Sequence, residues 1–132
     1  MGISLKSCMK GISGLDKHSV SHSFDGMNYL DVYEKYFDSR RDSKAILEIG
    51  VRNGASLQLW KKYFPSAFII GVDVVPRCID YADARTSIII ENQESTKLPT
   101  QLSYIFQKQN IGGIDEYSRN RLYRNKRCRN KR

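Results

Sequence analysis

A-I-L-E-I-G-V-R-N-G-A-S-L-Q-L-W-K-K-Y-F-P-S-A-F-I-I-G-V-D, residues 45–73, decides the fold. Residues 45–49 form a short apolar run that ends at Gly50, which suits a strand buried on both faces of a parallel sheet. A turn bounded by Gly50 and Gly54 follows. Leu57, Trp60 and Phe64 then fall at i, i+3 and i+7, the stripe of a helix packed against a core. Ser56 is a reasonable N-cap for that helix, and Pro65 stops it. Residues 68–72 form a second apolar run, ending at Asp73. A strand, a helix and a parallel strand make a right-handed crossover unit.

The pattern continues on both sides. Pro76 is placed to open a short helix through Ala84. Residues 86–90 (T-S-I-I-I) read as a third strand, ending near Glu91, Asn92 and Gln93. Residues 96–108 read as a helix with Leu98, Leu102, Ile105 and Phe106 on one face. Pro99 is tolerable in its first turn. Upstream, residues 27–37 predict an amphipathic helix. Tyr29, Leu30, Tyr33, Tyr36 and Phe37 share its apolar stripe, and Asp31, Glu34 and Lys35 face away. Strands alternating with helices imply an α/β fold with a parallel sheet. Residues 1–25, rich in Ser, Gly and Lys, read as a flexible arm.

The chain has 132 residues, enough for one domain. Its net charge of +8 comes from 22 Lys and Arg against 14 Asp and Glu. The excess sits entirely in residues 119–132, in Arg119, Arg121, Arg124, Lys126, Arg127, Arg129, Lys131 and Arg132. The body before them is formally neutral, so the composition does not describe a basic domain. Residues 114–132 read as a basic disordered tail. No apolar run approaches the length that spans a bilayer, so no membrane partner is expected. The N-terminus lacks the apolar core of a secretion signal. Cys8, Cys78 and Cys128 form no C-x-x-C pair, which argues against a disulfide framework and for a reducing, cytoplasmic compartment. His18 and His22 have the spacing of a metal pair. Their Ser-, Gly- and Val-rich surroundings are poor helix formers, so the sequence does not support a divalent metal.

In open α/β sheets, ligands bind beyond the carboxyl ends of the strands. Three polar groups meet that condition: Glu48 with Gly50 and Gly54, then Asp73, then Asn92 and Gln93 beside Glu91. The glycines let the turn approach a ligand closely. The spacing G-x-x-x-G is neither the dinucleotide fingerprint nor a P-loop. A carboxylate at Asp73 can accept bonds from the vicinal hydroxyls of a ribose. Asn92 or Gln93 can read the edge of an adenine. Each group alone is as readily a helix cap or a solvated side chain. Their recurrence at three successive strand ends favours a ligand.

L-E-I-G-V-R-N-G-A-S together with F-I-I-G-V-D resembles the nucleotide-binding half of class I S-adenosylmethionine-dependent methyltransferases. The group with macrolide-sugar O-methyltransferases and cephalosporin hydroxylase-like relatives is the most similar. Asp16, Lys17, His18 and Ser19, followed by the aromatic helix, extend the resemblance over roughly residues 15–93. It implies a Rossmann-like domain at residues 26–113 and S-adenosylmethionine as cofactor. Glu48 and Gly50 would lie near the methionine part, Gly54 would complete the loop, and Asp73 would take the ribose. Asn92 and Gln93 would flank the adenine, with Glu91 one register step from the family's acid. Asp16, Lys17 and His18 would belong to an arm over the cofactor. The implied activity is methyl transfer to a hydroxyl of a small molecule.

The resemblance also implies a larger sheet than three strands, and an acidic D-D-G-S-H-like segment for which Asp115 and Glu116 are a poor substitute. Either another chain completes the sheet, with self-association through the exposed edge, or the chain is a truncated, inactive product. The alternative is a non-catalytic binding module whose basic tail engages nucleic acid or an acidic partner.

Overall fold

The computed structural model describes residues 2–13, 23–24 and 27–111. In chain order the elements are a helical turn α1 (Leu5–Cys8), two short strands β1 (Ser23–Phe24) and β2 (Met27–Asn28), and helix α2 (Tyr29–Phe37). Strand β3 (Ala45–Ile49), helix α3 (Ala55–Tyr63) and strand β4 (Phe68–Asp73) follow. A 3-10 segment (Pro76–Tyr81), strand β5 (Thr86–Ile90) and helix α4 (Leu98–Lys108) complete the described chain. β1 and β2 form a small antiparallel pair. β3, β4 and β5 form one parallel sheet in that order, with β4 central.

The sheet alternates cleanly between two apolar layers, because successive side chains on a strand point to opposite faces. Ile46, Ile69 and Ile88 pack beneath α1, α2 and α3. Ile49, Ile70, Val72 and Ile89 pack against Leu98, Leu102 and Phe106 of α4. Helices therefore cover both faces, as the alternating pattern implies. The register pairs Ile49 with Val72 and Asp73 with Ile90, so the three carboxyl ends lie level.

The sequence boundaries of β3 and β5 hold to the residue, and β4 runs one residue further, to Asp73. α3 starts at Ala55, not at a Ser56 cap. Gly54 is the N-cap, and the Asn53 side-chain oxygen accepts the Ala55 N–H at 3.2 Å. The expected short helix closes at Tyr81 as a 3-10 segment. In α2 the buried stripe is Leu30, Tyr33 and Phe37, and Tyr36 is 44% exposed. The ring of Phe37 stacks on Tyr33 and meets Trp60 and Phe64 of α3 edge-on or tilted, with centroids 5.3–5.8 Å apart. That aromatic layer sets the helix rotation and leaves Tyr36 outside.

Part of the segment expected to be an arm is tied down. Leu5 and Cys8 are buried against the α2–α3 layer. Glu34, expected to face away, accepts the Leu5 N–H at 2.8 Å and the Arg41 guanidinium at 3.2 Å. Arg41 also donates to the Ile3 carbonyl and lies over the Tyr63 ring. Asp16, Lys17, His18, Ser19 and His22 lie outside the described residues, as do the basic tail and Cys128.

Arg85 secures the far end of α3. Its guanidinium donates to the carbonyls of Lys61, Phe64 and Ala67 at 2.9–3.3 Å. The Lys61 and Phe64 carbonyls lie at the end of α3, at the negative end of its dipole, and the Ala67 carbonyl lies in the turn that follows. Arg85→Ala is expected to cost about 1–3 kcal/mol, read as a lower denaturant midpoint at unchanged slope.

Candidate functional site

The turn at residues 50–54 is built from left-handed backbone. Gly50, Arg52 and Gly54 have φ of 91°, 55° and 76°. Glycine takes these angles freely, whereas an arginine there is strained. The alternation turns successive N–H groups toward one point, a concavity that binds anions. Here the anion is supplied by the chain itself. One carboxylate oxygen of Asp73, Oδ2, accepts the N–H of Val51 at 2.8 Å and of Arg52 at 3.1 Å. The other, Oδ1, accepts the Val75 N–H at 3.0 Å.

Burial acts to raise the Asp73 carboxyl, but the N–H groups of Val75, Arg52, Val51 and Val74 outweigh it and hold it below the usual carboxylate range. The main chain joins the three strand ends as well. The Gly50 N–H donates to the Val72 carbonyl at 2.7 Å, and the Glu91 N–H to the Asp73 carbonyl at 3.0 Å. Gly50, Gly54, Asp73 and the start of the 91–93 segment therefore meet at one edge.

The other expected site residues are less direct. Glu48 is buried, and its Oε2 accepts the Trp60 Nε1–H at 3.0 Å. It lies on the same sheet face as Ile46, beneath α3. The Asn92 side-chain oxygen accepts the Glu94 N–H at 2.9 Å and so braces its own turn. Gln93 is half-buried at the same edge.

Three residues around the turn were not legible as parts of a site. The Cys78 thiol is fully buried and lies 3.5 Å from the Arg52 carbonyl oxygen. The Tyr81 ring covers Gly54 so closely that a β-carbon there would sit 2.8 Å from it. Val51 packs over Gly71, where a β-carbon would meet Val51 Cγ2 at 2.6 Å. None carries a spacing signal, because each contact joins segments that only the sheet brings together. Val74, Val75 and Ile79 leave an exposed apolar surface beside Asp73.

The charged groups set a pH window. The Asp83 carboxyl is also held below its usual range: burial acts to raise it, and the Lys61 ammonium and the Arg85 N–H outweigh that. Both carboxyls bind a proton more readily in the unfolded chain. Their contribution is present above about pH 4 and is lost as pH falls through the lower folded values. The Tyr63 hydroxyl is pushed up to about 12, chiefly by burial, so its contribution is lost as pH rises above about 10. Thermal midpoints are expected to be flat near neutrality with respect to these groups. Asp73→Asn is expected to flatten the acid limb.

Among the described residues, no group of three or more His, Cys, Asp or Glu could hold a metal ion. No described helix is long and apolar enough to cross a membrane.

No family model matches the chain. It is 29% identical over 91 residues to the 8-demethyl-8-alpha-L-rhamnosyl tetracenomycin-C 2'-O-methyltransferase of Streptomyces olivaceus, covering 63% of this chain and 24% of that protein. It is 37% identical over 67 residues to the L-olivosyl-oleandolide 3-O-methyltransferase of Streptomyces antibioticus, covering 45% of this chain and 16% of that protein. The chain thus spans about a quarter or less of the curated relatives it matches. In fold it matches MycE methyltransferase from the mycinamycin biosynthetic pathway, in complex with Mg and SAH. The TM-score is 0.61 at 19% identity, over 80% of this chain and 27% of that one. The complex of MycE with Mg, SAH and mycinamycin VI matches equally, with a TM-score of 0.61. In sequence and in fold, this chain resembles part of a class I S-adenosylmethionine-dependent methyltransferase of the sugar O-methyltransferase kind.

Proposed function

We propose that the chain binds S-adenosylmethionine at the carboxyl edge of β3, β4 and β5. In this reading it serves methyl transfer to a hydroxyl of a small, sugar-bearing molecule, together with whatever completes the acceptor site. The observation that carries the reading is the Asp73 carboxylate held against the turn of residues 50–54. A carboxylate has about four acceptor directions. Three are taken by the N–H groups of Val51, Arg52 and Val75, and the Val74 N–H also stabilises the charge, which leaves at most about one for a ribose hydroxyl. Gly50 lets the methionine part approach the turn, and Gly54, beneath the Tyr81 ring, completes it. Glu48 lies beneath it and positions Trp60 and α3. Gln93, with the side-chain nitrogen of Asn92, is offered to the adenine edge. The O-methyltransferase relatives support the acceptor class.

When bound, the cofactor supplies an electrophilic methyl group. The protein's part is to hold it and to align the acceptor oxygen, a proximity effect. MycE holds Mg in the matched structures. Among the described residues here, no group of three or more His, Cys, Asp or Glu could hold such an ion.

Calorimetric titration with S-adenosylhomocysteine tests the reading. Binding is expected, and Asp73→Ala is expected to weaken it by about tenfold or more. Absence of binding by the folded wild-type chain refutes it.

A further inference from the structure

The turn of residues 50–54 has the backbone of an anion-binding concavity, yet the chain fills it. Val51 and Arg52 direct their N–H groups at one oxygen of Asp73. The first free donor of α3, the Ala55 N–H, is taken by the Asn53 side chain. A phosphate at this turn would need those same donors. It would also have to approach the Asp73 carboxylate, with Glu91 on the neighbouring strand end. Arg52 and Arg77 lie on the two flanking segments, but both are exposed, so solvent screens their charge.

We propose that Asp73 is a specificity-determining residue that excludes phosphate-bearing nucleotides by occupying, as an internal anion, the N–H pair that would otherwise bind their phosphate. The site is thereby reserved for a nucleoside whose 5′ substituent carries no phosphate. This deepens the reading above and rests on it for the placement of the nucleoside. The arrangement is braced from both sides. The Cys78 thiol lies against the Arg52 carbonyl and the Tyr81 ring covers Gly54, so the turn is held with its N–H groups on Asp73. Rejection works through repulsion and through loss of donors together, which is how a site discriminates against a close analogue.

The test compares adenosine with ADP, which share the nucleoside and differ in the phosphates. Both are titrated calorimetrically into the wild-type chain and into Asp73→Asn and Asp73→Ala, with S-adenosylhomocysteine as a third ligand. Asp73→Asn keeps an oxygen that can accept the Val51 and Arg52 N–H groups, so it preserves the turn while removing the charge. Its fold is checked by circular dichroism. The wild type is expected to prefer adenosine to ADP by about tenfold or more. In Asp73→Asn that preference should shrink several-fold. In Asp73→Ala, with the donors also freed, ADP should lose much less affinity than adenosine, although the two share the ribose contact.

ADP binding the wild type as well as adenosine overturns the proposal. So does an unchanged preference in a folded Asp73→Asn variant. If the wild type binds neither adenosine nor S-adenosylhomocysteine, the cofactor reading fails. The gain of ADP affinity in the two variants then decides the proposal alone: a gain supports it, and none overturns it.

Discussion

Trp60→Ala is expected to cost about 3–5 kcal/mol of stability. Small domains have about 5–15 kcal/mol in total, so the variant should unfold at mild temperature or denaturant. Trp60 is buried in the centre of the layer between α2, α3 and the sheet. Its ring lies 5.6 Å from Tyr33, 5.7 Å from Phe37 and 6.1 Å from Phe64. Truncation removes all three contacts and opens a cavity that the sheet cannot close. It also takes away the indole N–H that Glu48 accepts. A buried carboxylate that loses a donor bears a desolvation cost of its own. Trp60→Phe separates the two effects. It keeps an aromatic ring and deletes the N–H, and is expected to cost about 1–3 kcal/mol. Chemical denaturation of the pair measures both. If Trp60→Phe is as stable as the wild type, the Glu48 hydrogen bond carries no weight.

Gly71→Ala is the second large effect. Gly71 is in the centre of β4, on the face beneath α3. A β-carbon there would lie 2.6 Å from Val51 Cγ2 and 2.9 Å from Ile88 Cδ1. Ile88 sits on the neighbouring strand directly opposite, paired with Gly71 in register. Val51 follows β3 and opens the turn. Both neighbours are buried side-chain methyls that must shift within a packed layer, so overpacking of about 1–3 kcal/mol is expected. The more telling consequence is local. Pushing Val51 away shifts the N–H that Asp73 accepts at 2.8 Å. Gly71→Ala should therefore lower S-adenosylhomocysteine affinity as well as the thermal midpoint, although Gly71 touches no ligand in the proposed arrangement. Arg85→Ala, at the opposite end of α3, should lower the midpoint and leave affinity unchanged. Equal affinity losses in the two variants would show that binding merely tracks global stability.

β3 and β5 were readable to the residue, because an apolar run buried on both faces has few alternatives when turn residues bound it. The helix stripes of α3 and α4 were readable for the same reason. Ser56 misled, because a hydroxyl near a helix start is a generic signal. The actual cap is a left-handed Gly54, with Asn53 beside it. Tyr36 misled because six aromatic or aliphatic residues in α2 compete for one stripe, and only the position of Trp60 chooses among them.

At the site, Asp73 was legible as a polar group at a strand end. Its engagement with Val51 and Arg52 was not, since those bonds span more than twenty residues of sequence. Glu48 shows the converse. Its position marked it as a ligand contact, and one of its oxygens accepts the Trp60 indole N–H.

The alternation of strands and helices and the separation of a neutral body from a basic terminus are readable from the residues alone, and they mark the carboxyl edge as a candidate ligand site. These follow from local patterning: apolar periodicity, turn residues and charge counts act over a few residues at a time. Tertiary structure alone decided which groups at that edge are already occupied. Whether a carboxylate faces a ligand, a helix or its own turn depends on sheet register and on side-chain volume. Gly71 makes room for Val51, Val51 sets the turn, and the turn captures Asp73. Each step joins residues distant in the chain, so the state of the site is a property of packing.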